Sequence, residues 1–277
     1  MSERLKVIKI LNNNIVLCKD EKGDKLIVEN KGLGFFSKNK LYINKSKDFN
    51  VYMLQGRENL NAYVDLIPKC DPKLIEITGH IIEKIKTELS GNVDEYIYIA
   101  LLDHLNFSIY RYKKGIKFET GFFDEFSMIY GKIYDFSIRS LEYINKSLDI
   151  NLPKEEAGFI TLHIDSAINR NSMQKTQFIA EFITRSLKTI EKDLGRKIPN
   201  NSIEKQRLII HLKFAVKRAE NNETAINPLE DEIIRKYKRS YKIAKEISKI
   251  AREYNINLLE GEVSYLAIHI QSIMMEE

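Results

Sequence analysis

The stretch that decides the fold of this chain is Leu101-Leu-Asp-His104-Leu-Asn-Phe-Ser-Ile-Tyr-Arg111, because it occurs twice. Its second copy is Leu208-Ile-Ile-His211-Leu-Lys-Phe-Ala-Val-Lys-Arg218. Both copies contain His-Leu-x-Phe, and in both an arginine follows the histidine by seven residues. A repeat of long period indicates that one structural unit is present twice.

A second pair of matching stretches lies nearer the end of each copy. The first is Glu156-Ala-Gly-Phe-Ile-Thr-Leu-His163-Ile-Asp-Ser, and the second is Glu262-Val-Ser-Tyr-Leu-Ala-Ile-His269-Ile-Gln-Ser. The two histidines are 59 residues apart in the first copy and 58 in the second. Four of the five histidines therefore occupy equivalent places in two units of about 107 residues. His80 has no counterpart, and we expect it to be structural or solvent-facing.

The residues around these stretches show helical periodicity, with apolar side chains three or four positions apart. The first copy predicts helices over residues 73–89, 93–113, 122–148 and 153–169. The second copy predicts helices over residues 174–194, 202–222, 229–254 and 260–275. Pro199 and Pro228 fall in the gaps between helices, where proline is tolerated. The pattern predicts two homologous all-α helical bundles.

The front of the chain has a different pattern, in which short stretches rich in β-branched residues alternate with turn signals. Strands are predicted over residues 5–11, 15–19, 25–29, 41–43 and 50–54. Asn12-Asn-Asn14 and Asp20-Glu-Lys-Gly-Asp24 are typical of tight turns between antiparallel strands. Because about 55 residues bury too little apolar surface to be stable alone, we expect this small sheet to dimerise.

Together these patterns predict a multidomain α+β protein, in which a small antiparallel β-sheet domain precedes two homologous all-α bundles. We place the domains at residues 1–58, 59–169 and 170–277. The first holds 12 Lys and Arg against 7 Asp and Glu, the second 12 against 17, and the third 20 against 15. The net charges are therefore +5, −5 and +5. The excess of positive charge in the smallest domain favours a polyanionic partner there.

The composition excludes several classes of protein. Of the 277 residues, 43% are hydrophobic, so wholesale disorder is not expected. Cys18 and Cys70 are not in a CxxC pair and cannot form a disulfide framework, which indicates a reducing compartment. The longest apolar run, residues 96–102, is too short to cross a bilayer, and the N-terminus does not resemble a signal peptide. We expect a cytoplasmic protein without membrane insertion.

Two histidines on separate helices can converge on one cleft, and several roles are open to them. An imidazole can accept a phosphoryl group, and an arginine two turns along the same helix can hold the phosphate. The histidines could instead be buried structural residues, which duplication would also copy. A metal site is less favoured, because the sequence contains neither HExxH nor a cysteine pair. An acid–base enzyme would need a third polar partner, for which Asp103 is the one candidate.

The same residues resemble those of a known family. Lys9-Ile-Leu-Asn-Asn-Asn-Ile-Val and Lys31-Gly-Leu-Gly-Phe35 resemble the co-antiterminator RNA-binding domain of the BglG/SacY/LicT-type transcriptional antiterminators. The two repeats resemble the PTS-regulation domains of that family, named for the sugar phosphotransferase system (PTS). The motifs that carry this likeness are Asp103-His104 with Arg111, Leu162-His163-Ile, His211-Leu-Lys-Phe with Arg218, and Ile268-His269-Ile.

The resemblance implies a regulatory protein rather than an enzyme, and one that needs no cofactor. As a homodimer, it would bind an RNA hairpin in leader mRNA and prevent an overlapping terminator from forming upstream of sugar-uptake or sugar-use genes. The histidine-phosphorylated carrier protein and a sugar permease of the phosphotransferase system would control it. In the family, the permease usually inactivates through the first regulation domain, and the carrier protein often activates through the second.

Expected site residues follow from the same likeness. The expected phosphorylation sites are His104, His163, His211 and His269, and the expected phosphate-supporting residues are Asp103, Arg111 and Arg218. RNA binding needs cations, amides and aromatic rings. The residues expected to supply them are Lys6, Lys9, Asn12, Asn14, Lys31, Gly32, Phe35 and Lys38. We also expect Gly32 and Gly34 to let the backbone approach the RNA closely.

The chain departs from the family pattern at four places. Asn30 stands where glycine is common, Lys31 where arginine is frequent, and Phe36-Ser37 where a more polar or basic pair is common. These differences predict an altered RNA preference or a weaker affinity. Ile210 precedes His211, so the second repeat has no copy of Asp103 to orient its histidine.

Three alternatives stay open at this point. The first is a DNA-binding activator built on the same regulation domains, although its front would be expected to show a helix-turn-helix. The second is a histidine-dependent phosphotransfer enzyme or a metalloenzyme, for which the sequence offers no cofactor motif. The third is a helical scaffold whose histidines are structural.

Overall fold

The computed structural model of the chain describes residues 4–53, 57–90, 92–116, 125–223 and 225–276. The chain divides into two compact units. The first comprises Met1–Phe118 and Ser137–Arg170, and the second comprises Glu119–Phe136 and Asn171–Glu277. A segment of the first repeat is thus grouped with the second repeat, which the periodicity alone does not indicate.

The front of the first unit is a five-stranded antiparallel sheet with the strand order β4-β1-β2-β3-β5. The strands are β1 Arg4–Ile10, β2 Ile15–Lys19, β3 Lys25–Glu29, β4 Tyr42–Asn44 and β5 Asn50–Met53. β2 pairs with β3 so that Val16 lies opposite Val28 and Leu17 opposite Ile27. All four side chains are buried, so these two strands have an apolar residue on both faces of the sheet. Leu54, at the end of the predicted fifth strand, lies outside the described residues.

The turn between β1 and β2 is fixed by the side chain of Asn12. Its Oδ1 accepts hydrogen bonds from the backbone N–H groups of Asn14, at 2.8 Å, and of Ile15, at 2.9 Å. Asparagine favours such turns because its side chain bonds its own backbone. The predicted turn is confirmed, and the side chain of Asn12 is used inside the domain.

A short helix, α1 (Leu33–Phe36), packs on this turn. The Gly34 N–H donates to the Asn13 carbonyl at 2.8 Å, and a Cβ at residue 34 would overlap the carbonyl oxygen of Asn12. Gly32 precedes the helix with a φ of 75°, in the left-handed region that favours glycine. The close backbone approach at Gly34 is therefore made to the protein's own turn, which accounts for this glycine without RNA.

The first repeat contains α2 to α7. Their bounds are α2 Arg57–Leu66, α3 Pro72–Glu88, α4 Ile97–Lys113, α5 Phe126–Tyr130, α6 Lys132–Leu148 and α7 Glu155–Asn169. The single helix predicted over 122–148 is wrong, because Gly131 takes a φ of 49° and separates α5 from α6. Residues 122–124 of that prediction lie outside the described residues. α2 is not anticipated by the sequence patterns, and the predicted domain limit after residue 58 falls inside it.

The second repeat contains α8 to α12. Their bounds are α8 Met173–Leu194, α9 Ile203–Glu220, α10 Glu230–Lys236, α11 Lys238–Arg252 and α12 Glu260–Met275. α8 and α9 begin at Ser172 and Ser202, whose hydroxyls accept the N–H of Lys175 at 3.2 Å and of Lys205 at 3.0 Å. The predicted helix 229–254 is broken at Tyr237, whose φ of −116° and ψ of 49° are not helical.

The predicted fold class is confirmed, since a small antiparallel sheet precedes helices that recur in two repeats. Cys18 and Cys70 are free and buried. Among the described residues, no helix combines the length and the hydropathy that a membrane span requires.

Candidate functional site

The first repeat brings its two equivalent histidines together. His104 lies on α4 and His163 on α7, and their ring centres are 5.1 Å apart. Phe159, one turn before His163, also lies beside the His104 ring, with ring centres 5.3 Å apart. The predicted convergence of the two histidines on one cleft therefore holds in this repeat.

A buried glutamate joins the first histidine to the arginine of the motif. Glu156 Oε2 lies 2.9 Å from His104 Nε2 and accepts the Ser108 hydroxyl at 2.7 Å. Arg111 Nη2 donates to Glu156 Oε1 at 2.8 Å. Burial acts to raise the pKa of Glu156, but hydrogen bonds with His104 and Ser108 and the charge of Arg111 outweigh it, so the pKa is lowered. The glutamate is therefore ionised at neutral pH.

The second histidine of this repeat is held neutral. Burial lowers the pKa of His163 to about 3, and the nearby His104 acts in the same direction. A neutral imidazole keeps a lone pair on one ring nitrogen. His163 is therefore in the protonation state that can act as a nucleophile.

The second repeat has the same arrangement. His211 on α9 and His269 on α12 have ring centres 4.8 Å apart. Arg218 donates to Glu262 through Nε and through Nη2, the latter at 2.9 Å to Oε2. Burial acts to raise the pKa of Glu262, but the nearby His211 and the hydrogen bonds and charge of Arg218 lower it to about 2. Burial also lowers the pKa of His269, as does the neighbouring His211.

The two clefts differ in how tightly they are closed. His211 Nε2 lies 3.3 Å from Glu262 Oε2, which is longer than the corresponding 2.9 Å in the first repeat. The position of Ser108 is taken by Ala215, so the second glutamate lacks a hydroxyl donor from this position. The Arg218 side chain is 29% exposed, against 11% for Arg111.

The second cleft also opens into a cavity of about 560 Å³. Its lining includes both histidines together with Arg207, Arg218, Phe214 and Ile226. Phe214 and Ile226 are exposed apolar side chains. Exposed apolar side chains around a polar cleft are typical of a surface that docks another protein.

Of the three residues predicted to support a phosphate, the two arginines lie in the clefts and the aspartate is exposed. Arg111 and Arg218 lie in the clefts, but each is bound to a glutamate. Asp103 is exposed and forms no hydrogen bond with His104. Burial raises the pKa of the Cys70 thiol to about 11, and the negative charge of Asp103 contributes to this shift. A phosphate-supporting role for Asp103 stays a prediction.

The sequence interpretation omitted Glu156 and Glu262. A signal for them exists, because each precedes the second histidine of its repeat by seven residues, in stretches that otherwise match. The role of these glutamates cannot be inferred from the sequence of their own helix. Glu156 lies on α7, whereas the histidine and the arginine that share its carboxylate lie on α4. His80, which lies outside the repeat pattern, is exposed, and its ring centre lies 5.3 Å from that of Tyr143.

The residues expected to bind RNA lie on the front domain in two groups. Lys6, Lys9, Lys31 and Lys38 are exposed. Phe35 is 66% exposed and carries Lys38 Nζ at 5.9 Å from its ring centre. The other group, Asn12, Asn14 and Gly32, is engaged inside the domain, since the Gly32 N–H donates to Asn14 Oδ1 at 2.8 Å. The exposed lysines and Phe35 are thus free to contact RNA, and the second group shapes the loop that presents them.

Other proteins share these features along the whole chain. A family model described as CAT RNA binding domain matches residues 5–61, and one described as PRD domain matches residues 79–167 and 184–273. The GlcA/glcB genes antiterminator of Staphylococcus carnosus is 31% identical over 269 residues, covering 95% of this chain and 93% of that protein. The transcription antiterminator LicT of Bacillus subtilis is 28% identical over 276 residues, covering 98% and 100%.

A solved structure agrees with these matches. The crystal structure of GlcT CAT-PRDI is 30% identical in sequence and superposes with a TM-score of 0.54, covering 59% of this chain and 98% of that one. The likeness therefore extends from sequence to three-dimensional structure over 59% of this chain.

Proposed function

Because the chain belongs to the family of transcription antiterminators that join a CAT RNA binding domain to two PRD domains, we propose that it binds an RNA hairpin in a leader transcript. Holding this hairpin prevents an overlapping terminator from forming, so that transcription continues into sugar-uptake or sugar-use genes. Phosphorylation of histidines in the two repeats sets the activity. The observation that carries this proposal is the same His–His–Glu–Arg cluster in both repeats, behind a basic RNA-binding front.

Charge and side-chain chemistry support RNA as the partner of the front domain. Residues 1–58 carry a net charge of +5, which favours a polyanion. Exposed Phe35 offers a face on which an unpaired base can stack. A DNA-binding activator would carry a helix-turn-helix at the front of the chain. The front of this chain instead matches a CAT RNA binding domain, so the DNA-binding alternative is not favoured.

The clefts are suited to phosphoryl transfer from the histidine-phosphorylated carrier protein and a sugar permease of the phosphotransferase system. A phosphohistidine adds about two negative charges. In the first repeat region, whose net charge is −5, that addition favours opening of a dimer contact by repulsion. In the second, whose net charge is +5, nearby cations can hold the phosphate and close the contact. One modification thus has opposite effects in the two repeats.

A homodimer is supported by apolar side chains left exposed on the front domain. Ile8, Ile10, Leu41 and Tyr42 are all exposed on or beside the adjacent strands β1 and β4. Burying these side chains against a second copy would remove apolar surface from water. We place this protein in the cytoplasm, where leader transcripts and the phosphotransferase carrier protein are found, and we assign it no catalytic activity.

Two experiments on the full chain test the proposal. Incubation with the general phosphotransferase proteins and labelled phosphoenolpyruvate is expected to label the chain, and replacing His104, His163, His211 and His269 together by alanine is expected to abolish the label. A gel shift is expected to show binding to the leader RNA hairpin in preference to a duplex DNA of equal length. Absence of label on all four histidines would refute phosphorylation control, and equal binding to DNA would refute the RNA assignment.

A further inference from the structure

We infer that Glu156 is a positioning residue, which fixes the tautomer of His104 so that a phosphoryl group enters on Nδ1 and not on Nε2. The inference rests on the proposed function, because it concerns the nitrogen that is modified in the same cleft. The two ring nitrogens of a histidine are chemically distinct, and the one that carries the proton cannot attack phosphorus.

The hydrogen on His104 can be located from its neighbours. An ionised carboxylate only accepts hydrogen bonds, so the 2.9 Å contact between Glu156 Oε2 and His104 Nε2 needs a hydrogen on the nitrogen. The hydroxyl of Ser108 cannot supply it, because that hydrogen is donated to Glu156 Oε2 at 2.7 Å. Nε2 is therefore protonated, and the lone pair of the neutral ring lies on Nδ1.

The carboxylate is itself held in place. Arg111 Nη2 donates to Glu156 Oε1 at 2.8 Å and to the Ser108 hydroxyl oxygen at 3.1 Å. The side chains of Glu156 and Arg111 are 6% and 11% exposed, so water cannot easily replace these bonds. A buried, fully bonded carboxylate of this kind orients the ring and keeps one tautomer, as do carboxylates that accept a hydrogen bond from a metal-bound histidine.

The transfer step balances with this arrangement. The Nδ1 lone pair attacks the phosphorus of a phosphohistidine on the donor protein, the donor N–P bond breaks, and its electron pair returns to the donor nitrogen. The His104 ring becomes cationic while it keeps its hydrogen on Nε2, and the Glu156 carboxylate stabilises that charge. Attack by Nε2 would first require loss of that hydrogen, and the bond from the ring to the buried Glu156 carboxylate would be lost with it.

The second repeat provides an internal comparison. Glu262 stands in the same place, but its Oε2 is 3.3 Å from His211 Nε2, and Ala215 offers no hydroxyl. The same tautomer is expected there with a weaker preference. His104 and His211 thus form a matched pair that differs mainly in the contact between the carboxylate and the ring, which is a hydrogen bond at His104 but not at His211.

The tautomer is measured directly on the unphosphorylated full chain labelled with ¹⁵N-histidine. Long-range ¹H–¹⁵N correlation at neutral pH is expected to show His104 with its hydrogen on Nε2, with the signal assigned by its loss in His104→Gln. After phosphorylation, ³¹P and ¹⁵N spectra are expected to show the Nδ1-linked isomer at this residue. His104 in the Nδ1–H form, or an Nε2-linked phosphate, would overturn the inference while leaving the proposed function intact.

A variant and a matched control test the role of Glu156. In Glu156→Gln the amide can donate to Nε2, so the hydrogen is expected to move to Nδ1 and the rate of labelling of His104 to fall about 10–100-fold. Glu155→Gln makes the same change one residue earlier on α7 and is expected to leave tautomer and rate unchanged. If Glu156→Gln altered neither, the inference would be wrong, and if it failed to fold, the wild-type spectra would still decide. Absence of label on every histidine would instead refute the proposed function.

Discussion

The first cleft is expected to hold a single phosphoryl group, on His104 or on His163, however long the protein is phosphorylated. The perturbation is exhaustive phosphorylation of a His211→Ala/His269→Ala variant, which confines labelling to this cleft. The ring centres of the two remaining histidines are 5.1 Å apart, so two attached phosphates would lie close together.

The repulsion between two such phosphates follows from Coulomb's law once a separation and a dielectric constant are assumed. Taking about −2 on each group, a separation of about 10 Å and an effective dielectric constant of about 20, Coulomb's law gives about 7 kcal/mol. In bulk water the same pair would repel by about 2 kcal/mol. At 1.36 kcal/mol per tenfold change, these energies lower the equilibrium constant for adding the second phosphate by factors of about 10⁵ and about 20.

The environment of each cleft decides which value applies. In the first cleft Arg111 is buried and already neutralised by Glu156, so the larger repulsion is expected. The second cleft opens into a cavity of about 560 Å³ whose lining includes Arg207, so the smaller repulsion is expected there. Double phosphorylation is therefore expected to be measurable in the second cleft and undetectable in the first.

Intact mass spectrometry under alkaline conditions, which preserve phosphohistidine, measures the number of phosphates on each chain. The His211→Ala/His269→Ala variant is expected to carry at most one phosphate per chain. The matched His104→Ala/His163→Ala variant is expected to show chains with one phosphate and chains with two. A doubly phosphorylated first cleft, in amounts similar to the second, would refute the electrostatic reasoning.

Four further outcomes are expected. Replacing Gly34 by alanine puts a methyl group onto the Asn12 carbonyl, so we expect a loss of about 1–3 kcal/mol in thermal unfolding and weaker hairpin binding in a gel shift. Because the folded-state pKa of Glu262, about 2, lies below its ordinary 4.5, its stabilisation is present above about pH 5 and lost as the pH falls towards 2; the melting temperatures of wild type and Glu262→Gln should converge over that range. A proton NMR titration should show His163 neutral down to about pH 4, and titration near pH 6.5 would contradict this. Lys38→Gln is expected to reduce the slope of log affinity for RNA against log salt concentration by about one, because one phosphate contact is lost. An unchanged slope would show that Lys38 does not contact a phosphate.

Much of the fold could be predicted because local chemistry and tertiary structure agree in it. The strands at 15–19 and 25–29 and the last helix, Glu260–Met275, occupy the predicted residues, since their apolar patterns are also their buried faces. The breaks at Gly131 and Tyr237 could not be predicted, because one glycine or tyrosine inside a helical pattern costs too little to end a helix by itself. Tertiary packing decides such positions.

The candidate site was predictable to a similar degree. The repeat spacing located all four clustered histidines and both arginines, because each motif recurs intact. The glutamates were missed because their significance depends on contacts between helices that are distant in sequence, as in the bond from Arg111 to Glu156. Asp103 is next to His104 in sequence but makes no hydrogen bond with it, since a residue next to a histidine in a helix points about 100° away from it.

The contact between the asparagine turn and α1 has a consequence for how this protein can change during evolution. The Gly34 and Phe35 N–H groups donate to the Asn13 carbonyl, and the Gly32 N–H donates to Asn14 Oδ1. These bonds join the asparagine turn to the start of α1, some twenty residues later, so that the two loops are held in one arrangement. Little conformational entropy is therefore lost when these loops bind a ligand. A substitution in either stretch alters the position of both, so new RNA specificities are expected to arise through paired changes in the two stretches.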